Sequence, residues 1–315
     1  MTPSLPATSD SSASAAAADV PQLVLPEAEW QTRRSTHEQR VAPWIAPRLD
    51  RMSRSESHPI EDFLFEYYSY RPGQLLRWHP GIGVALVGAA AEEFLAHPLY
   101  RRLADGTVSV SIHALKPQRL QFVRWLATLL EAVRDRPPFF GCAGLHEWAM
   151  VHRAEEVRHP RWPLRLGRAG TDAVVESLPI RCSHHDAFRF FTASARPLNR
   201  LQPARTDAVR LEQGGCLHAN MDLYKWAYKL APLTPSELVA DAFALAREIR
   251  EVDMRASPYD FSALGLEPIA IETEEGRAAY ENLQAGFSRK AAPIRSRLIE
   301  LCRQALKIAE PEASS

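Results

Sequence analysis

Cysteine is scarce in this chain. Its 315 residues hold four, Cys142, Cys182, Cys216 and Cys302, and no two form a Cys-x-x-Cys pair. That excludes a zinc ribbon and leaves reduced thiols as the expectation. Neither sign of charge is in excess, since Lys+Arg 38 balance Asp+Glu 38. The balance argues against a broad polybasic nucleic-acid surface, but a local basic groove stays open. Lysine is rare, occurring only at Lys116, Lys225, Lys229, Lys290 and Lys307, so nearly all cations are arginine. Local clusters such as Arg158-His-Pro-Arg161 with Arg165 and Arg168 could grip phosphate as bidentate forks. No stretch approaches the roughly 20 apolar residues of a membrane span. Residues 1–19 have neither the basic start nor the apolar run of a secretory signal. No repeat of solenoid type is found. These absences predict a cytoplasmic protein with no membrane partner.

What is present suits a large core: 46% of residues are hydrophobic and 24% charged. Residues 1–25, mostly Ser, Ala, Thr and Pro, predict a disordered N-terminal tail. The rest, 26–310, reads as a single, mainly α domain with a short β element. A helix is expected over 27–40, ended by Pro43 and Pro47. Pro59 opens a second, with Glu61 and Asp62 in its first turn. A third covers 84–95. A fourth starts at Pro117, with Phe122, Leu126, Leu129, Leu130 and Val133 at helical spacing. A helix after Gly141 carries His146, Trp148 and His152. Residues 154–181 read as irregular, with short strands at 173–175 and 178–181. Residues 184–191 form a short helix or turn, 197–215 a loop-rich insertion and 222–230 a helix. Thr234-Pro-Ser-Glu237 has the form of a capping box and opens a long helix with the stripe Leu238, Ala242, Leu245, Ile249 and Val252. Thr273 caps a last helical region, interrupted or restarted at Pro293 and ending near Ile308.

The densest chemistry lies between Phe139 and Leu230. That window holds three of the four cysteines and six of the eleven histidines. Most sit beside rings, acids or amides: His146-Glu147-Trp148, Cys182-Ser-His184-His185-Asp186 and Cys216-Leu-His218-Ala-Asn220-Met-Asp222. Imidazoles carry protons near neutral pH or ligate metals. His146, His184 or His185, and His218 are therefore candidates for an acid–base site or for holding a divalent transition metal, zinc or iron. Glu147, Asp186 or Asp222 would orient them. Three imidazoles would leave a position open for water or substrate. The spacing matches no compact metal motif, and hydrogen-bonded core histidines are the competing reading. Cys182 and Cys216, each two residues from a histidine, are candidate nucleophiles if the imidazole lowers the thiol pKa.

Two further patterns stand out. Trp78-His79-Pro80-Gly81-Ile82-Gly83 has the form of a glycine hairpin whose backbone amides could meet a phosphate ahead of a helix, with Asp105 following. Rings are dense at Phe63, Phe65, Tyr67, Tyr68, Tyr70, Phe188, Phe190, Phe191, Tyr224, Trp226 and Tyr228. They could wall a pocket for a planar base or simply build core.

The strings Asp62-Phe-Leu-Phe-Glu-Tyr-Tyr-Ser69, Arg77-Trp-His-Pro-Gly81, His146-Glu-Trp-Ala-Met150, Asp186-Ala-Phe-Arg-Phe-Phe191, His218-Ala-Asn-Met-Asp-Leu-Tyr-Lys-Trp226 and Arg255-Ala-Ser-Pro-Tyr-Asp260 resemble a bacterial, mainly actinobacterial, family labelled 3-methyladenine DNA glycosylase. The resemblance runs from Trp30 to Leu306. It implies hydrolysis of the N-glycosidic bond of alkylated purines in damaged DNA, with no cofactor. Such chemistry asks for a carboxylate, which by residue type Asp186 or Asp222 would supply. Trp148, Phe190 or Trp226 would stack on the base, with Tyr224 in the same aromatic run, and Arg189 or Lys225 would meet phosphate. Without the resemblance, the residues suggest a metal-dependent enzyme acting on a small molecule through His146, His184 and His218.

Overall fold

Two short hydrophobic strands far apart in sequence begin the architecture. In the computed structural model, which describes residues 21–157 and 159–309, strand β1 (Leu23–Leu25) lies parallel to β2 (Val84–Leu86). Antiparallel β4 (Val108–Val110) and then β3 (Tyr100–Arg102) complete a four-stranded sheet of order β1-β2-β4-β3. The strands thus lie outside the segment expected to hold them. Residues 173–175 fall in a helix, and of 178–181 only Ile180 makes an isolated bridge, to Asn199. Residues 1–20 of the expected tail lie outside the described residues, and its last part is β1. The helix expected over 84–95 is β2 followed by a 3-10 turn, Ala89–Ala96.

Helices make up most of the chain. They are α1 (Glu27–Ser53), α2 (Phe63–Tyr67), α3 (Pro72–Leu76), α4 (Pro117–Asp135), α5 (Leu145–Ala149), α6 (Gly167–Ser177), α7 (His185–Phe188), α8 (Ala208–Leu211), α9 (Leu217–Leu230), α10 (Ser236–Arg255) and α11 (Glu274–Ala309). Prolines fail to stop the long ones. Pro43 and Pro47 sit inside α1 and Pro293 inside α11, all three on the solvent side. A proline removes one helical donor and pushes on the carbonyl a turn earlier. On an exposed face water can satisfy that carbonyl, while the opposite face of α1 stays packed through Trp30, His37, Val41 and Ile45. The expected box at Thr234 does not form. Helix α10 starts two residues later, and Glu237 instead accepts the indole N–H of Trp78 at 2.8 Å. Thr273 does cap α11, its Oγ1 accepting the Gly276 N–H at 3.0 Å.

Helix α9 is the axis of the molecule. All of its side chains but Lys225, Tyr228 and Lys229 are buried, and it packs against α10 and α11, with α11 in turn against α4. A helix covered on every side normally carries only apolar residues. This one also carries His218, Asn220 and Asp222, so its neighbours must supply partners. From α11, Arg295 donates to Asn220 Oδ1 at 2.5 Å, and Asn220 donates to Gly214 O at 2.9 Å.

A second buried charge fastens α1 to α2. Asp62 is fully buried and accepts from Arg48 at 2.8 Å, from Arg51 at 2.6 Å and from the His58 N–H at 2.8 Å. Burial alone would raise the Asp62 pKa, but these hydrogen bonds outweigh it and the pKa is lowered. A carboxyl with a lowered folded pKa stabilises the fold above its unfolded value, and the contribution is lost as pH falls through the folded one. Asp62→Ala is expected to cost about 2 kcal/mol in urea unfolding at pH 7, because the half-buried Arg48 and Arg51 lose their buried partner and keep only the exposed Glu66 and Glu61. The difference from the parent should shrink steadily in acid. A gap as large at pH 3 as at pH 7 would contradict this account.

Candidate functional site

The site is assembled from three helices and one loop. Gly144 adopts a left-handed conformation (φ 70°) directly against the Tyr280 ring, and this turn delivers α5 with His146 and Glu147 pointing into the interior. Helix α9 supplies His218 and Asp222. Helix α10 supplies Arg250 and Asp253, one turn apart. The residue preceding α7 is His184.

The three imidazoles named from the sequence form a row. His146 and His218 meet edge to face with ring centres 4.6 Å apart, and His184 follows at 5.4 Å from His218. Carboxylates close both ends. Asp253 Oδ1 lies 2.8 Å from His146 Nε2, and Asp222 Oδ2 lies 3.3 Å from His184 Nε2, with Glu212 at 3.6 Å. All six groups are buried. Burial would lower the His146 pKa, but Asp253 outweighs it and the pKa is raised. The same opposition holds for His184, between Glu212 and Asp222. Among the described residues, no carboxylate is hydrogen-bonded to His218. Burial, then the neighbouring His146, push its pKa well down, so it is neutral. Around Asp222 the network continues to the Tyr68 hydroxyl, which donates at 2.9 Å, and to Lys225, which also reaches Asp186 at 3.3 Å. Burial and then Lys225 act on Asp222 in opposite directions, and the net pKa is strongly lowered.

The metal-ligand geometry differs from the three-histidine expectation. His146, His218 and Asp253 can each place one ligand atom within 4.8 Å of the other two. His184 is not in that group, since it stands beyond His218 and is held by Asp222. The sequence reading missed Asp253 and its neighbour Arg250. Their signal was an acid and a base, both buried, interrupting the apolar stripe of α10 beside Ile249 and Val252. Arg250 Nη1 donates to Glu147 Oε1 at 3.2 Å and to Asp253 Oδ2 at 3.1 Å, and its guanidinium lies 3.8 Å from the centre of the Phe63 ring.

His218, Glu147 and Arg250 open onto a cavity of about 730 Å³. Phe63, Tyr67, Trp162 and Phe190 supply rings to its wall, and Asp186 a carboxylate. Of the side chains expected to hold a substrate, only Phe190 lines this space. Arg189 stacks on Phe190 at 4.3 Å without lining the space. Trp148 is a core residue whose indole donates to Ala256 O at 2.8 Å. Tyr224 is sealed among Tyr68, Tyr228 and Phe243, and Trp226 packs on Trp125. Lys225 spends its charge on two carboxylates. Phe63 and Tyr67 stack on each other at 5.0 Å and take the place expected of those rings.

Other sequence candidates find structural roles. His185 contacts Pro203 O at 3.0 Å, and His152 joins Ser194 to Glu176. The glycine hairpin does not precede a helix, and its Ile82 N–H is used on Leu233 O at 2.8 Å. Asp105 closes its own turn on Thr107. Among the described residues, nothing around Cys182 or Cys216 activates the thiol. Burial pushes the Cys182 thiol up to about 12 and Cys216 well above its ordinary value, and Cys182 contacts the His184 carbonyl, not its ring.

No protein-family model, curated protein or solved structure matches this chain. No helix among the described residues is long and apolar enough to cross a membrane.

All four cysteines are free thiols. In the native protein at pH 7, Cys182 and Cys216 should resist iodoacetamide for as long as the fold persists, while all four label in denaturant. Rapid native labelling at either position, mapped by peptide mass, would restore the nucleophile reading.

Proposed function

We propose that this chain is a metal-dependent enzyme acting on a small molecule, with a divalent transition metal, zinc or iron, held by His146, His218 and Asp253. One observation carries the reading: three helices bring two imidazoles and a carboxylate within 4.8 Å of one another, and one of the three, His218, lines a cavity of about 730 Å³. The donor set suits such an ion. His218 is neutral, as a ligand must be. The 2.8 Å contact between His146 and Asp253 is a proton bridge that an ion would replace, so uptake should release a proton.

When bound, the ion supplies Lewis acidity toward a substrate oxygen or a water. The chain's own residues do the rest. Arg250 holds Asp253 and Glu147 through one nitrogen and so fixes the direction of both carboxylates. Glu147, on the cavity wall beside His218, is placed to accept a proton from the reacting molecule. Phe63, Tyr67, Trp162 and Phe190 exclude water and favour a planar group. The four free thiols suit a cytoplasmic location.

A second reading is hydrolysis of the N-glycosidic bond of an alkylated purine such as 3-methyladenine in damaged DNA, without a cofactor. What favours it is the same ring wall with the carboxylate of Asp186 beside it.

Elemental analysis of protein purified without chelator is expected to find about one zinc or iron per chain. His218→Ala should empty the site, and Asp253→Asn should weaken metal binding by roughly tenfold or more. A chain that carries no ion and takes up neither added Zn²⁺ nor Fe²⁺ would overturn the metal reading. Release of free 3-methyladenine from methylated DNA, indifferent to chelator and lost in Asp186→Asn, would carry the second reading in its place.

A further inference from the structure

The segment beginning at Arg77-Trp78-His79 takes no part in the histidine row, yet its side chains open onto a different space. Arg77, His79 and His97 line a second cavity of about 350 Å³ that shares no lining residue with the larger one. Trp78 and Phe94 form part of its wall.

Hydrogen bonds fix how both rings present themselves. His97 Nδ1 accepts the Leu99 N–H at 3.2 Å. A backbone amide only donates, so the proton of the neutral His97 ring sits on Nε2. His79 Nδ1 lies 3.0 Å from the Tyr100 hydroxyl, whose proton has no other acceptor among the described residues. His79 Nδ1 therefore accepts, and its Nε2 also carries the proton. Burial, then His97 and Arg77, lower the His79 pKa to about 4, so the ring stays neutral and keeps this donor pattern at pH 7. His79 is only 9% exposed, and its Nε2 is not among the sealed, unpartnered atoms. The two rings are 5.9 Å apart.

Charge points the same way. The cavity's carboxylates, Glu38 and Glu93, both bind Arg34. Arg77 is exposed and pairs with no carboxylate among the described residues. One guanidinium fork and two imidazole N–H groups, from different parts of the chain, thus face one space with no acceptor of their own. A carboxylate has two oxygens, and one fork occupies both. A phosphate monoester has three terminal oxygens and matches three separated donors.

We propose that this cavity binds the phosphate group of a small phosphorylated molecule, held by Arg77, His79 Nε2 and His97 Nε2, with the body of the molecule toward Trp78 and Phe94. The site is independent of the metal reading.

The test is calorimetric titration of the full chain with inorganic phosphate, phenyl phosphate and benzoate. Both phosphates should bind, phenyl phosphate more tightly, and benzoate far more weakly. Arg77→Gln replaces an exposed side chain and should keep the parent melting temperature while weakening phosphate binding by roughly ten- to a hundredfold, the loss of a charged hydrogen-bond partner. His97→Phe should weaken it as well. Chelator-treated protein should bind phosphate equally, so failure of the metal reading leaves this result standing. No binding up to about 50 mM phosphate would overturn the proposal. So would binding undiminished in Arg77→Gln, or benzoate binding as tightly as phenyl phosphate.

Discussion

A charge taken out of water must be met by another, and that requirement sets how α5, α9 and α10 sit together. Asp253 and Asp222 are almost completely buried on neighbouring helices, where an unpaired carboxylate would be costly. Asp253 is met by His146 from α5 and by Arg250 a turn away, and Asp222 by Lys225, Tyr68 and His184. Between the two lies His218, neutral and without a carboxylate of its own. Shifting any one of these helices by a turn would strand at least one charge, so the row of imidazoles is as rigid as the helices that carry it.

That rigidity has a chemical consequence. A site whose donors are fixed before anything binds loses little entropy when it is filled. Arg250 extends the order outward, since it links Asp253 inside to Glu147 at the cavity wall and lies on Phe63 of α2. The α2 segment is itself tied to α1 through Asp62. A chain of charge-assisted contacts therefore runs from the long first helix to the cavity, and the rings of the wall belong to elements that the same contacts position.

The second cavity follows a different logic. Its imidazoles are held by a backbone amide and a phenol and stay neutral, where those at the row's ends are drawn toward the charged form by carboxylates. One residue type thus serves two environments, and the partner of Nδ1 or Nε2 decides which.

Much of this was legible in the chain. The mainly helical class, the start of α4 at Pro117 and the cap at Thr273 follow from local rules that depend on neighbouring residues alone. His146, His184 and His218 could be singled out because buried polar residues stand out beside apolar and aromatic neighbours. What local rules could not supply was pairing between distant segments. Pro43, Pro47 and Pro293 stay inside helices because packing on the opposite face outweighs their local cost, and Leu23 becomes a strand only because residue 84 lies beside it. Asp253 joined His146 and His218, and His184 stood aside from those three, through distances across helices that no spacing in the sequence encodes. Propensity and residue type are local properties, so the order of amino acids already shows which side chains can do chemistry and that the chain is helical. Which of those side chains meet is settled by the fold, because charges buried from water choose partners by position in space.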